Sequence, residues 1–233
     1  MKPSLTFLVI AATVLASSAS AVVITGGLDQ TTTGTIDVVL TDNNPLNDPD
    51  IGADGWRVWD TTTAQAGSDA KSGSNSIGSY TFLGGLTAGD MGTASAGQGA
   101  ATFDYSWVDG TPIATDGLVS GTDNGILQTA TAGGGLTDGQ GLGVPVSLTG
   151  IEGSIGFWVG VRRTNAKLVV RDSGSSILYD SSAVSENIDA STVGSQVLAG
   201  EYLFDYTGAT IGETITLEWV NDGNDGNGQL QLG

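Results

Sequence analysis

Residues 214–219 read Thr-Ile-Thr-Leu-Glu-Trp and alternate strictly between polar and apolar side chains. Because successive side chains of a β-strand point to opposite faces, Ile215, Leu217 and Trp219 share one face and the polar residues share the other. This pattern is typical of a strand with one face in a core and the other in water. We therefore predict that Trp219 lies in the core.

Similar short segments recur along the chain and are separated by turns rich in Gly, Asp, Asn and Ser. No window shows a 3.6-residue apolar stripe, so we expect few and short helices. We predict an all-β fold, a single antiparallel β-sandwich that is jelly-roll-like. The predicted strands are residues 35–41, 56–61, 76–83, 102–108, 125–131, 144–148, 155–163, 167–171, 177–180, 201–206, 214–220 and 229–232.

Two turns indicate hairpins, because Gly, Asp, Asn and Ser favour tight connections between strands. Residues 172–176 are predicted to join strands 167–171 and 177–180. Residues 221–228 are predicted to join the last two strands.

The composition excludes several chemistries, since the 233 residues include no His and no Cys. Ser-His-Asp and Cys-His catalysis, zinc fingers, iron–sulfur ligation and disulfides are all ruled out. The 25 acidic and seven basic residues give a net charge of −18. That charge argues against nucleic-acid partners, which need clustered Lys and Arg, and against anionic membrane surfaces.

The first 21 residues are predicted to be a signal peptide. Lys2 precedes an apolar stretch at residues 5–16, and residues 19–21 (Ala-Ser-Ala) match a cleavage site. Residues 22–233 then form the single sandwich domain, and we expect no transmembrane segment in this mature chain. Export without Cys is typical of bacterial surface proteins, so a secreted or cell-surface location is predicted.

Five segments carry a family resemblance. They are residues 54–59 (Asp-Gly-Trp-Arg-Val-Trp), 107–112 (Trp-Val-Asp-Gly-Thr-Pro), 156–160 (Gly-Phe-Trp-Val-Gly), 200–206 (Gly-Glu-Tyr-Leu-Phe-Asp-Tyr) and 212–219 (Gly-Glu-Thr-Ile-Thr-Leu-Glu-Trp). Their succession resembles bacterial secreted β-sandwich modules of cell-surface proteins, which also occur beside polysaccharide-active domains. The leader and the body rich in Gly, Thr and Asp look like the extracellular region of PEP-CTERM (exosortase-sorted) proteins. The resemblance implies a surface or accessory module and supplies no catalytic residues.

Aromatic side chains suggest a carbohydrate platform, because the C–H faces of sugar rings stack on Trp and Tyr. Trp158 and Arg162 share one face of strand 155–163, so an outward Trp158 would lie beside a cation able to hydrogen-bond hydroxyls or carboxylates. The alternative is core packing, the usual use of large aromatics in sandwiches. The candidate ligand-binding residues are Trp158, Arg162, Trp56, Trp59 and Tyr179.

An acidic stretch at residues 41–54 suggests calcium, a hard cation that takes six to eight oxygen ligands. Asp42, Asp48, Asp50 and Asp54 are the candidate ligands. The alternative is a solvated turn, since Asp, Asn and Pro are also the residues that turns select.

Four of the seven basic residues lie within ten positions, at Arg162, Arg163, Lys167 and Arg171. They suggest a contact with an acidic polysaccharide or with the acidic face of another copy. The alternative is that they neutralise acidic side chains on neighbouring strands.

A glycosidase-type carboxylate pair is the only plausible catalytic route, and no motif singles out two of the glutamates. We therefore predict a non-catalytic extracellular surface or matrix module that associates with carbohydrate or exopolysaccharide. One alternative is a structural subunit of a surface layer or filament that associates with copies of itself. A second alternative is a polysaccharide-active enzyme.

Overall fold

The computed structural model describes residues 21–40, 55, 57–59, 69–71, 76–93, 102–107, 117–119, 127–129, 136–194, 196–223 and 228–232. In chain order the strands are β1 (Val23–Thr32), β2 (Thr35–Leu40), β3 (Arg57–Val58), β4 (Asp69–Ala70), β5 (Thr81–Leu83), β6 (Met91–Thr93), β7 (Thr102–Trp107), β8 (Gly117–Val119), β9 (Leu127–Thr129), β10 (Gly141–Ser147), β11 (Glu152–Arg162), β12 (Asn165–Arg171), β13 (Ile177–Asp180), β14 (Ile188–Asp189), β15 (Val197–Thr207), β16 (Thr214–Asn221) and β17 (Gln229–Leu232). A 3-10 turn at Ala88–Asp90 and one short helix, α1 (Ser181–Val184), accompany them in the described residues.

Most of the strands belong to two antiparallel sheets that pack against each other. The first sheet has the order β1-β15-β11-β17-β9-β6. The second has the order β13-β12-β16-β10-β5, with β14 also paired to β12. The predicted all-β antiparallel sandwich is confirmed by this arrangement. Two smaller units accompany it: the β2-β7-β8 sheet, in which β2 and β7 run parallel, and the β3-β4 pair.

The core lies between the two inner faces, and the alternation read from the sequence places the expected side chains there. Trp219 and its neighbours on β16 are buried, as are Tyr202, Phe204 and Tyr206 on β15. Trp219 is 0% exposed, and its Nε1 donates a hydrogen bond of 3.3 Å to the carbonyl oxygen of Gly160 on β11. One indole from the second sheet is thereby bonded to the first.

Each predicted strand overlaps an observed one, but five observed strands were not predicted: β1, β4, β6, β8 and β14. Of these, β1 is the longest. Its exposure does not alternate cleanly, because Gly26 has a positive φ of 99° and the register against β15 shifts between Leu28 and Gln30. Such a bulge breaks the two-residue period by which strands are recognised.

The two hairpin predictions have different outcomes. The turn at residues 172–176 does join β12 and β13, with the N–H of Ser176 donating to Asp172 Oδ1 at 2.8 Å. The hairpin at residues 221–228 is wrong, because β16 lies in the second sheet whereas β17 pairs with β11 and β9 in the first. The segment therefore crosses between the sheets.

Buried polar contacts hold this crossing. Asn221 is fully buried, and its Oδ1 accepts a hydrogen bond of 2.6 Å from Thr164 Oγ1, at the corner where β11 passes to β12. Its Nδ2 donates to the carbonyls of Leu136 and Gly223. Because the polar atoms of the buried Asn221 side chain have hydrogen-bond partners, this arrangement is favoured over a hairpin that would expose Asn221 to solvent.

Glu186 joins the β1 edge of the first sheet to the β13 edge of the second. Its Oε2 accepts hydrogen bonds from the N–H of Leu28 at 2.9 Å and from the hydroxyl of Tyr179 at 2.6 Å. The same oxygen lies over Gly27, where a Cβ would come within 2.0 Å of it. The carboxylate thus occupies part of the free edge of β1.

None of the helices within the described ranges is long and apolar enough to cross a membrane. Residues 1–20 of the predicted signal peptide lie outside those ranges, so export stays a prediction.

We expect replacement of Glu186 by Ala to lower the free energy of unfolding by about 1–3 kcal/mol, since it leaves two donors without this acceptor. Urea denaturation should show a lower midpoint with an unchanged slope. Glu152→Ala is the matched control, because Glu152 is exposed and this change should cost less than about 0.5 kcal/mol. Equal midpoints for the two variants would show that the Glu186 contacts do not stabilise the edge.

Candidate functional site

Trp158 lies on the outer face of the first sheet. Its strand neighbours Phe157 and Val159 are buried in the core, so alternation along β11 turns Trp158 outward, where it is half-buried. In the sheet register Trp158 is paired with Glu201 on β15, and Glu201 is paired with Gln30 on β1. Three adjacent strands therefore place these side chains in one row.

Hydrogen bonds along this row fix the indole. Trp158 Nε1 donates to Glu201 Oε1 at 2.9 Å, and Gln30 Nε2 donates to Glu201 Oε2 at 2.5 Å. Each oxygen of the carboxylate is thus engaged by one neutral donor. Because its N–H is bonded, the indole is held in one orientation on the sheet.

Glycine makes room for the ring. The six-membered ring of the Trp158 indole lies over Gly156, where a Cβ would come within 2.5 Å of Cη2. The cross-strand neighbour of Gly156 is Leu203, which is half-buried on the same outer face. The next pair along the strands is Ser154 and Asp205, whose side chains share a hydrogen bond of 2.7 Å.

These residues form what we call the Trp158 platform: Gln30, Ser154, Gly156, Trp158, Glu201, Leu203 and Asp205. The platform combines an aromatic ring with amide, hydroxyl and carboxylate groups on an open sheet face. Such a combination binds ligands that have both apolar faces and many hydroxyl groups.

Arg162 lies on the same outer face but not in the same site. It is four residues from Trp158, which is about 13 Å along a strand, and the indole extends the other way over Gly156. Between them Gly160 is paired with Ala199 and Gln231, both 0% exposed. The predicted pairing of Trp158 with an adjacent cation is therefore not found.

Arg162 has a different environment from the platform. Its Nη1 donates to Gln229 Oε1 at 3.2 Å. Partial burial, and secondarily the charge of Arg163, lower the pKa of the Arg162 guanidinium. The side chain remains charged, since the ordinary pKa of arginine is far above neutral.

The other predicted ligand residues are not on the platform. Trp59 is 3% exposed and belongs to the core cluster, so it offers no surface for a ligand. Tyr179 packs its ring edge-on to Phe204, with centroids 4.9 Å apart, and its hydroxyl is bonded to Glu186. Trp56 lies outside the described residues.

The four basic residues do not form one patch. Arg162 is on the outer face of the first sheet, whereas Lys167 and Arg171 are on the outer face of the second, opposite the buried residues of β12. Lys167 pairs with Asp222 at 2.9 Å, and Arg171 pairs with Glu218 at 2.8 Å. For these two residues the structure supports neutralisation of nearby acids.

Calcium binding stays a prediction. Asp42, Asp48, Asp50 and Asp54 all lie outside the described residues. Within the ranges that the structure does describe, no group of three or more acidic side chains is placed to hold a metal ion.

Sequence reasoning identified Trp158 but missed its partners. Glu201 and Gln30 come from strands 43 and 128 residues away along the chain, and only the sheet register brings them together. The sequence does contain one local indication of the platform. Gly156 is two residues before Trp158 and therefore lies on the same face of the strand, where it leaves room for the ring.

Two tyrosines at the edge of the core have raised pKa values. Burial is the main cause for Tyr179 and for Tyr202, and the carboxylate of Glu186 adds to it in both. Both hydroxyls are engaged there, since Tyr202 donates to the backbone carbonyl of Glu186 at 2.8 Å. The folded state therefore favours the protonated phenols.

This shift predicts a loss of stability at high pH. The stabilisation should be complete below the unfolded-state pKa of about 10 and should decline as the pH rises above it, because the unfolded chain ionises more readily. Tyrosinate absorbance of Tyr179 and Tyr202 should then appear together with unfolding. Tyr179→Phe should show a weaker pH dependence. Ionisation of both residues near pH 10 in the folded protein would contradict this expectation.

Comparison of the chain with protein-family models, with curated proteins and with solved structures found no match.

Proposed function

We propose that this chain is a non-catalytic, carbohydrate-binding module of the bacterial cell surface or extracellular matrix. The observation that carries the proposal is the indole of Trp158, held over Gly156 by Glu201 and accompanied on the same sheet face by Gln30, Ser154 and Asp205. A pyranose ring presents C–H groups on its faces and hydroxyls at its rim. The C–H groups can pack on the indole, and the hydroxyls can form hydrogen bonds with the amide, hydroxyl and carboxylate groups around it.

The glutamates support binding rather than catalysis. Apart from exposed Glu152, each one accepts a hydrogen bond from a neighbouring group, as Glu213 does from the N–H of Thr210 at 2.9 Å. On the platform itself, the backbone positions of Glu201 and Asp205 are four residues apart on one strand, about 13 Å. Their carboxylates are bonded to Trp158 and Ser154, respectively, on the neighbouring strand.

We expect Trp158→Ala to weaken binding to a polysaccharide at least about tenfold, since buried Trp contacts in binding sites often contribute 2 kcal/mol or more. Affinity electrophoresis through gels that contain single polysaccharides measures this directly. Circular dichroism and the melting temperature should change little, because the side chain is on the outer face.

Two further variants define the site. Gly156→Val should also abolish binding although the indole is retained, because the new side chain displaces the ring. Arg162→Ala is the matched control on the same face and should bind normally. If wild type and Trp158→Ala migrate alike in every gel, the proposal is wrong.

Self-association is a second candidate, favoured by three exposed apolar side chains at one end of the sandwich. Val23 is 54% exposed, Ile151 is 64% exposed and Ile211 is 70% exposed. Val23 and Glu152 are both paired with Thr207, and the Ile151 carbonyl accepts from the N–H of Ala209, so these segments are adjacent. Clustered exposed apolar groups often mark interaction surfaces.

This candidate predicts a concentration-dependent oligomer in sedimentation experiments. The double variant Ile151→Ser and Ile211→Ser should remain monomeric, whereas Ile177→Ser, at another exposed isoleucine, should behave like wild type. A wild-type monomer at every concentration would exclude association through this end.

A further inference from the structure

The charge around the Trp158 platform narrows the class of ligand. Glu201 accepts hydrogen bonds from Trp158 and Gln30, and Asp205 accepts one from Ser154. All of these donors are neutral, so none of them offsets the charge of either carboxylate. Arg162, on the same outer face, is about 13 Å from Trp158 along β11 and is separated from it by fully buried residues.

The indole lies between the two carboxylates. Glu201 is directly opposite Trp158, the ring extends over Gly156, and Asp205 is opposite Ser154 at the next position beyond the ring. A ligand seated on the ring therefore has negative charge at both ends. The π face of an indole is itself electronegative and attracts cations within about 6 Å.

From this arrangement we infer that the platform selects glycans that contain protonated amino sugars. This inference rests on the proposed function, because it names the sugar class for the same site. A sugar ammonium can contact the indole face, Glu201 or Asp205 while the ring C–H groups pack on Trp158. An acidic glycan would instead bring its carboxylates against two unpaired charges, which disfavours binding.

Three β-1,4-linked oligomers of equal length test the selectivity: glucosamine, N-acetylglucosamine and a uronic acid. They are titrated into the protein calorimetrically at about pH 5.5, where Asp and Glu side chains are ionised. We expect the free-amine oligomer to bind about tenfold more tightly than the acetylated one, and the uronate not to bind. Raising the salt from about 0.1 M to about 1 M should reduce that preference, since the screening length falls from about 10 Å to about 3 Å.

Variants that each replace one platform carboxylate by an amide show which side chains cause the preference for the free amine. Glu201→Gln and Asp205→Asn should each lower the ratio of the affinity for the free-amine oligomer to the affinity for the acetylated oligomer by about threefold. Asp138→Asn is the matched control. It removes one carboxylate charge from an exposed turn whose charge acts on Lys167 of the second sheet, and it should keep the full preference.

The outcomes separate this inference from the proposed function. Equal affinity for the free-amine and acetylated oligomers, with both lost in Trp158→Ala, would overturn the inference and leave carbohydrate binding in place. Binding of oligolysine as tightly as glucosamine, or an unchanged preference in both carboxylate variants, would also overturn it. If Trp158→Ala binds every oligomer like wild type, both proposals fail. If none of the three oligomers binds, this inference fails, and the polysaccharide gels decide the proposed function.

Discussion

The packing of the two inner faces around Trp219 is the constraint on which the rest of the structure depends. Its indole is fully buried and is hydrogen-bonded to the carbonyl of Gly160 in the opposite sheet. This bond fixes which side chains of β11 face the core. Because side chains alternate along a strand, burying Phe157 and Val159 requires Trp158 to face outward. A shift of one residue would exchange these faces, and the platform would not exist.

Carboxylates in this acidic chain are used in two different ways. On the outer face of the second sheet, Glu218 and Asp222 pair with Arg171 and Lys167, so charge is balanced locally. On the outer face of the first sheet, Glu201 and Asp205 bond to neutral donors and their charge is left for a partner. These four described carboxylates therefore differ in their partners between the two faces. The uncompensated pair is the feature on which the proposed binding role depends.

Alternation made the strands and their buried faces predictable from the sequence, as at Trp219 and Tyr202. Which sheet a strand joins was not predictable, because β17 alternates equally well beside β16 or beside β11. The turn residues between them favoured pairing of β17 with β16, whereas the structure pairs β17 with β11 and buries the side chain of Asn221 at the connection. The platform could be predicted only in part, for the same reason. The local alternation indicates which face of β11 carries Trp158, but the position of Glu201 beside it depends on how two distant strands pair.

Residues 156–160 connect the core to the platform within a single stretch of β11. The carbonyl oxygen of Gly160 accepts a hydrogen bond from the indole of Trp219 in the core, while Gly156 leaves room for the indole of Trp158 on the outer face. The binding ring therefore stands on the same segment that anchors the two sheets together, and its orientation is set by a regular strand instead of a loop. A platform ordered before the ligand arrives loses little side-chain entropy on binding. Rigid placement on the central strands is what the proposed selectivity of this face requires.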